Sequence, residues 1–258
     1  MTHLTPADIA RFGPDPQATF AANLHEVQAR IAAACQRAGR PRADVRLLPV
    51  TKTVPAHVLR LAHAAGIRDF GENRLQEAMT KHDALSDLPI RWSIIGHLQS
   101  NKAKYLARFR QRIHALDGLG LAAELNRRME AEGRDLPVFV QVNTSGEQTK
   151  FGLAPGDLPG FLDALTAFPR LRPQGLMTLA IFSADQDRVR ACFRLLRRLR
   201  DDSRTSHPQI AGLSMGMSGD YETAIMEGAT VVRVGQAIPG PRPGSDAHYW
   251  PGLIPDNR

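Results

Sequence analysis

The sequence predicts an α/β protein built as a (β/α)8 barrel of the TIM type, with an extra helix at its N-terminus. Short apolar runs alternate with stretches of helical period, which implies parallel strands joined by helical crossovers. Eight such runs occur in a chain of 258 residues, the size at which barrels of this kind close. A doubly wound open sheet is the alternative. It would more often place a glycine-rich dinucleotide loop after its first strand, and here that strand ends Thr51-Lys52-Thr53.

Residues 1–16 read as a loose, flexible lead-in, polar and interrupted by proline. Residues 17–40 carry Phe20, Leu24, Val27 and Ile31 at helical spacing and stop near Gly39 and Pro41. The strand-like runs then fall at 45–50, 68–70, 92–95, 113–116, 138–142, 173–177, 210–215 and 231–234. Helix-like stretches separate them at 56–65, 74–85, 102–109, 122–132, 158–168, 185–203 and 221–227. Residues 17–240 are therefore expected to form one domain. The Pro/Gly-rich segment 241–258 is expected to be a mobile tail.

Composition narrows the function classes. Hydrophobic residues make up 43% of the chain, enough for a sizeable core, yet no run of eighteen apolar residues appears. The N-terminus lacks a basic-then-apolar signal pattern, so the expectation is a cytoplasmic protein that does not engage a membrane. Cys35 and Cys192 lie far apart with no metal-ligand spacing, which fits free thiols in a reducing compartment. The net charge of +7 raises the question of a nucleic-acid partner. Much of the excess, however, sits in residues 188–200, where Val189, Cys192, Phe193, Leu196 and Leu199 form one helical stripe. The arginines there are read as the solvated face of an amphipathic helix, and no nucleic-acid partner is expected. Arginine far outnumbers lysine, since only Lys52, Lys81, Lys102, Lys104 and Lys150 occur.

In a (β/α)8 barrel the chemistry sits at the C-terminal ends of the strands. Here those ends carry Lys52; Gly71-Glu72-Asn73; Gly96-His97; Asp117; Asn143-Thr144-Ser145; Met177-Thr178; the segment SMGMSGD from Ser214 to Asp220; and Arg233-Val234-Gly235-Gln236. The segment SMGMSGDYETAI sets small residues directly before a helical stretch, where backbone N–H groups and the helix dipole favour an anion. Ser214 and Ser218 add hydroxyls, and Gly235 permits close backbone approach. The loops after strands seven and eight are the usual phosphate site of this architecture. An amine at Lys52 facing such a site suits a carbonyl ligand that carries a phosphate. Two ligand classes answer to this: a sugar phosphate in a Schiff-base aldolase, and pyridoxal 5′-phosphate (PLP) held as an internal aldimine. Both need the neutral amine, although free lysine has a pKa of about 10.4. Arg233, on the strand that closes against the first, can donate to a pyridine nitrogen; it can equally serve a carboxylate or a phosphate.

Seven segments taken together resemble the pyridoxal phosphate homeostasis proteins, also called the proline synthase co-transcribed family. They are VTKTVP, FGENRLQE, IIGHLQSNKAKYL, VQVNTSGEQTKFG, GLMTLA, LSMGMSGDYETAI and GATVVRVGQAIPG, in that order between Val45 and Gly240. The resemblance implies a barrel similar to that of alanine racemase without its second, β-rich domain. It implies that Lys52 forms the aldimine and that Arg233 faces the pyridine nitrogen. Ser218, Gly235 and Gln236, with backbone of Met217 and Gly219, would form the phosphate cradle, and Asn73, Met177 and Ser214 would surround the ring. Lys150 matches the family's lysine after strand five. The implied role is to hold PLP, supply it to apo-enzymes and limit free aldehyde, as a monomer without robust turnover. The alternative is a weakly active amino-acid racemase. An arginine at the ring nitrogen leaves that nitrogen unprotonated and weakens the ring as an electron sink, and none of Tyr105, Tyr221 and Tyr249 stands at a strand end to act as a second acid/base.

The chain departs from the family pattern at Thr51, where serine is usual, and at Val54, Arg74, Ser93 and Pro239. The stretch after GLM also lacks its usual proline. None of these removes the lysine or the cradle; Arg74, Ser93 and Pro239 bear on ring contacts and partner surface. His97 is read as a structural or packing residue, Gln99 and Asn101 as loop hydrogen bonders, and Asp117 as a support of loop structure or polar lining. Glu147 and Asp220 are read as turn or capping groups.

Overall fold

The computed structural model describes residues 3–108 and 111–240. The expected tail at 241–258 lies outside them. Eight parallel strands form one sheet in the order β1-β8-β7-β6-β5-β4-β3-β2. They are β1 (Arg46–Pro49), β2 (Asp69–Glu72), β3 (Arg91–Ile94), β4 (Gln111–Leu116), β5 (Leu136–Gln141), β6 (Leu171–Met177), β7 (Gly212–Ser214) and β8 (Val231–Val234). β1 pairs with β8 along its length, setting Leu48 beside Arg233. It meets β2 through a single bridge between Val50 and Gly71, reinforced by the Thr51 N–H donating to the Gly71 carbonyl at 2.9 Å. That bridge closes the barrel at the strand that carries Lys52.

The helices are α1 (Pro6–Phe12), α2 (Pro16–Arg37), α3 (Ala56–Ala64), α4 (Leu75–Ala84), α5 (Leu119–Ala131), α6 (Leu158–Leu165), α7 (Gln186–Ser203) and α8 (Tyr221–Met226). α2 is the extra N-terminal helix: Asp15 caps it, Pro16 opens it, and Phe20, Val27, Ile31 and Cys35 line its buried face. The core has two compartments. The larger lies between sheet and helices. A smaller one fills the barrel interior with Leu48, Ala115, Phe139, Met177 and Val231. Cys35 and Cys192 are both buried free thiols.

Three expectations change. The lead-in is not loose throughout, because Pro6–Phe12 forms a helix. Thr5 and Asp8 make a reciprocal capping box, and Pro6 stands at the first helical position, where a missing N–H costs nothing. The helix-like stretch after β3 is a 3-10 helix, Ser100–Arg108. The arginine face of α7 is not simply solvated. Arg190, Arg194 and Arg197 converge on the buried Glu227 carboxylate at 2.8, 3.2 and 3.3 Å, tying α7 to the end of α8. Among the described residues, no helix is long and apolar enough to cross a membrane.

Candidate functional site at the strand ends

A cavity of about 970 Å³ opens at the C-terminal ends of the strands. This is within the range of small-molecule sites. Of the ten residues expected at the site, eight line it: Lys52, Asn73, Met217, Ser218, Gly219, Arg233, Gly235 and Gln236. Met177 and Ser214 do not. Met177 is fully buried in the interior compartment, because the register that pairs it with Ser214 turns its side chain into the barrel below the cavity floor. Ser214, equally buried, acts one step removed: its Oγ accepts from Arg233 Nη1 at 2.8 Å and lies 2.9 Å from His114 Nδ1.

Arg233 is 2% exposed. A second bond, Nη2 to the Thr178 carbonyl at 2.8 Å, fixes the plane of its guanidinium. Burial lowers its pKa to about 10, still cationic at neutral pH. His114 is stacked on Phe139 with ring centroids 4.7 Å apart. Burial, with Arg233 and Arg112 adding to it, pushes its pKa down from 6.5 to about 3, so the ring is neutral and adds no competing charge beneath the cavity.

The β7–β8 wall is a cradle made from one stretch of chain and its neighbour. Ser218 Oγ accepts from the Gly235 N–H at 3.0 Å, joining the two loops. Asp220 does not cap α8 with its side chain; its carboxylate accepts from the Met217 N–H at 2.5 Å. The Met217 amide expected in the cradle is therefore already engaged. Among the described residues, no protein acceptor meets the amides of Ser218 and Gly219. A Cβ built on Gly219 would meet nothing within 4 Å. Two uncommitted donors over open space, with a serine hydroxyl and a buried arginine nearby, are a donor set suited to an anion such as the phosphate of PLP.

The β1–β2 wall works differently. Lys52 is half-buried on the cavity wall. Both peptide units beside it are held by a buried ion cluster. Lys81, reaching back from α4, donates to the Thr51 carbonyl at 3.0 Å, to Glu72 Oε1 at 2.9 Å and to Glu77 Oε1 at 2.6 Å. Glu77 Oε1 accepts from the Thr53 N–H at 2.9 Å, and the Thr51 hydroxyl donates to Glu72 Oε1 at 2.5 Å. Glu72 is fully buried; burial raises its pKa, and Lys81 opposes that rise. Thr53 has φ of +68°, and it alone among the described non-glycine residues has a positive φ. For a β-branched residue this costs about 1–3 kcal/mol, so the surrounding bonds must impose it.

Asn73 is placed by a close approach of β3. A Cβ on Gly96 would lie 2.3 Å from the Asn73 carbonyl oxygen, so only glycine lets the two strand ends meet there. Lys150 also lines the cavity. It donates to the Ala180 carbonyl at 2.8 Å and pairs with Glu147, whose carboxyl is held below its usual range chiefly by that contact. His97 stacks on Phe151 with centroids 3.9 Å apart and faces Asp117 at 3.2 Å, so the packing role has a specific partner. Of the residues that depart from the family pattern, Ser93 is buried, Arg74 is exposed at the start of α4, and Pro239 forms part of the cavity wall. Tyr105 and Tyr221 do not line the cavity, and Tyr249 lies outside the described residues. Sequence reasoning missed Arg11 and Gln141, which do line it. Gln141 is the last residue of β5 and could have been read from its strand-end position. Arg11 had no such signal.

The eight-stranded barrel carries a lysine and a set of free backbone donors on adjoining strand ends, and the family model of the alanine racemase N-terminal domain matches residues 22–243. Within that architecture, one group of relatives matches along nearly its whole length. A pyridoxal phosphate homeostasis protein of Pseudomonas aeruginosa is 47% identical over 224 residues, covering 87% of this chain and 96% of the relative. One from Escherichia coli is 40% identical, covering 86% and 97%. The solved structure of PipY from Synechococcus elongatus with PLP bound is 36% identical, with a TM-score of 0.72, covering 83% of this chain and all of that one. An alanine racemase of Clostridium difficile shares the fold at 15% identity and a TM-score of 0.69, and this chain covers 58% of its length. The chain belongs to the pyridoxal phosphate homeostasis protein family.

Proposed function

We propose that this protein binds PLP in the strand-end cavity, holds it covalently and reversibly through Lys52, and serves PLP homeostasis and delivery. The observation that carries the reading is the placement of Lys52 and the Ser218–Gly219 amides on adjoining strand ends around one cavity, with buried Arg233 between interior and mouth. PLP binding in the PipY relative supports it. Bound PLP would supply an aldehyde for the lysine amine; the amine adds to the carbonyl carbon and water leaves, giving a Schiff base. The chain's own residues do the rest. The cradle amides and Ser218 hydroxyl hold the phosphate. Arg233, cationic and fixed by Ser214 and Thr178, presents N–H donors to the ring nitrogen and keeps it unprotonated. That arrangement suits storage of the cofactor better than carbanion chemistry.

Titration of the purified protein with PLP should produce a saturable absorbance change that Lys52→Ala removes. Loaded protein should also reactivate an apo PLP enzyme. A protein whose spectrum is unchanged by PLP, or whose loaded form never yields its cofactor to an apo-enzyme, contradicts the binding and delivery parts respectively.

A further inference from the structure

α1 lies outside the residues matched by the family model, yet it touches the loop that carries Lys52. Three contacts fix it to the barrel. Asp8 Oδ2, buried and held by Thr5, lies 2.9 Å from His57 Nε2 on α3. Phe12 is buried edge-on against Phe20 of α2, with ring centroids 6.0 Å apart. Arg11 donates from Nη1 to the Thr53 carbonyl at 2.6 Å and from Nη2 to the Thr53 hydroxyl at 2.9 Å. Thr53 is thus gripped from two sides, its N–H by Glu77 of α4 and its C=O and Oγ1 by Arg11 of α1. It is also the residue with the left-handed backbone, φ +68°. The direction of a side chain follows from the two peptide planes beside its Cα. The plane before Lys52 is held through the Thr51 carbonyl by Lys81, and the plane after it through the Thr53 N–H by Glu77.

We propose that α1 is a strut for the cofactor lysine, with Arg11 as a positioning residue that keeps Thr53 left-handed and so aims Lys52 into the cavity. The proposal rests on Lys52 being the residue that holds PLP. Arg11 does this through two parallel donors in one plane, which a lysine cannot reproduce. A residue this strained relaxes when one of its restraints is removed, and Glu77 alone leaves the Thr53 carbonyl and hydroxyl unrestrained.

The test uses Arg11→Ala, Arg11→Lys and the double variant Arg11→Ala/Thr53→Gly in the full chain. Hydrogen exchange of the 51–54 amides is measured in cofactor-free protein, and PLP affinity by absorbance titration. Arg11→Ala is expected to speed exchange at 51–54 and weaken PLP binding, each about tenfold, with little change in the urea midpoint. Arg11→Lys should recover part of both. Adding Thr53→Gly, which takes a positive φ without strain, should recover most of the affinity. Unchanged exchange in Arg11→Ala overturns the strut, and so does faster exchange with unchanged affinity. If the unaltered protein binds no PLP, the proposed function fails instead, while the exchange measurement still decides whether α1 restrains the loop.

Discussion

On the β1–β2 wall, one lysine is aimed by groups drawn from α1, α4 and the neighbouring strand: Arg11, Lys81, Glu77 and Glu72. On the β7–β8 wall, the cradle is made mostly by backbone of residues 218–219 and 235–236, stitched by a single serine hydroxyl. A covalent attachment point needs one direction fixed, and a buried side-chain cluster supplies it at the cost of desolvating charges. A phosphate needs several donors at a helix start, and local chain geometry supplies those with glycine and serine alone. The two walls should therefore break differently, one with the fold and one without it.

Lys81→Ala should show the largest effect on stability. It strands the fully buried Glu72 carboxylate and frees the Thr51 carbonyl, so a loss of about 3–5 kcal/mol is expected in urea unfolding, together with loss of PLP binding. Gly96→Ala should come next, at about 1–3 kcal/mol, since its methyl must displace the Asn73 backbone. Gly219→Ala tests the β7–β8 wall. Its methyl meets open space, so unfolding should shift by less than about 0.5 kcal/mol while PLP affinity falls, because the methyl and phosphate compete for the same volume. A stability loss at Gly219 as large as that at Gly96 would erase the distinction between the walls.

The remaining effects are silent at neutral pH and appear only in acid. His114 has its pKa depressed from 6.5 to about 3 by burial, so the unfolded chain takes up a proton that the folded chain refuses. Stability should fall as pH drops from 6.5 toward 3, and His114→Gln should flatten that slope by about one proton. Asp8 is lowered from 3.8 to about 2, chiefly by the Thr5 hydroxyl. Its contribution is complete above 3.8 and is lost as pH falls to about 2, so Asp8→Asn should remove acid sensitivity in that lower window only. Urea midpoints collected across pH separate the two.

The same contrast explains what the sequence disclosed. The β/α alternation, Lys52 and the SMGMSGD loop are local patterns, and the structure places eight of the ten expected residues on one cavity. Met177 and Ser214 stand one step below it because strand register, not strand-end position, decides which way a side chain points. The Lys81 cluster was not legible, since its members are 4 to 30 residues apart and meet only when α4 packs on the β1 end. α1 was legible in part: Thr5-Pro6-Ala7-Asp8 is a capping box, but its prolines read as interruption. Its bond to Thr53, 42 residues away, is a tertiary fact. Glu227 likewise turns three arginines of a seemingly solvated face into an anchor.

The most direct test of the central claim is borohydride reduction of the PLP-loaded protein followed by peptide mapping. The account expects one pyridoxyl group per chain, on Lys52, and none in Lys52→Ala. A label on Lys150, which shares the cavity, or no label at all would contradict it.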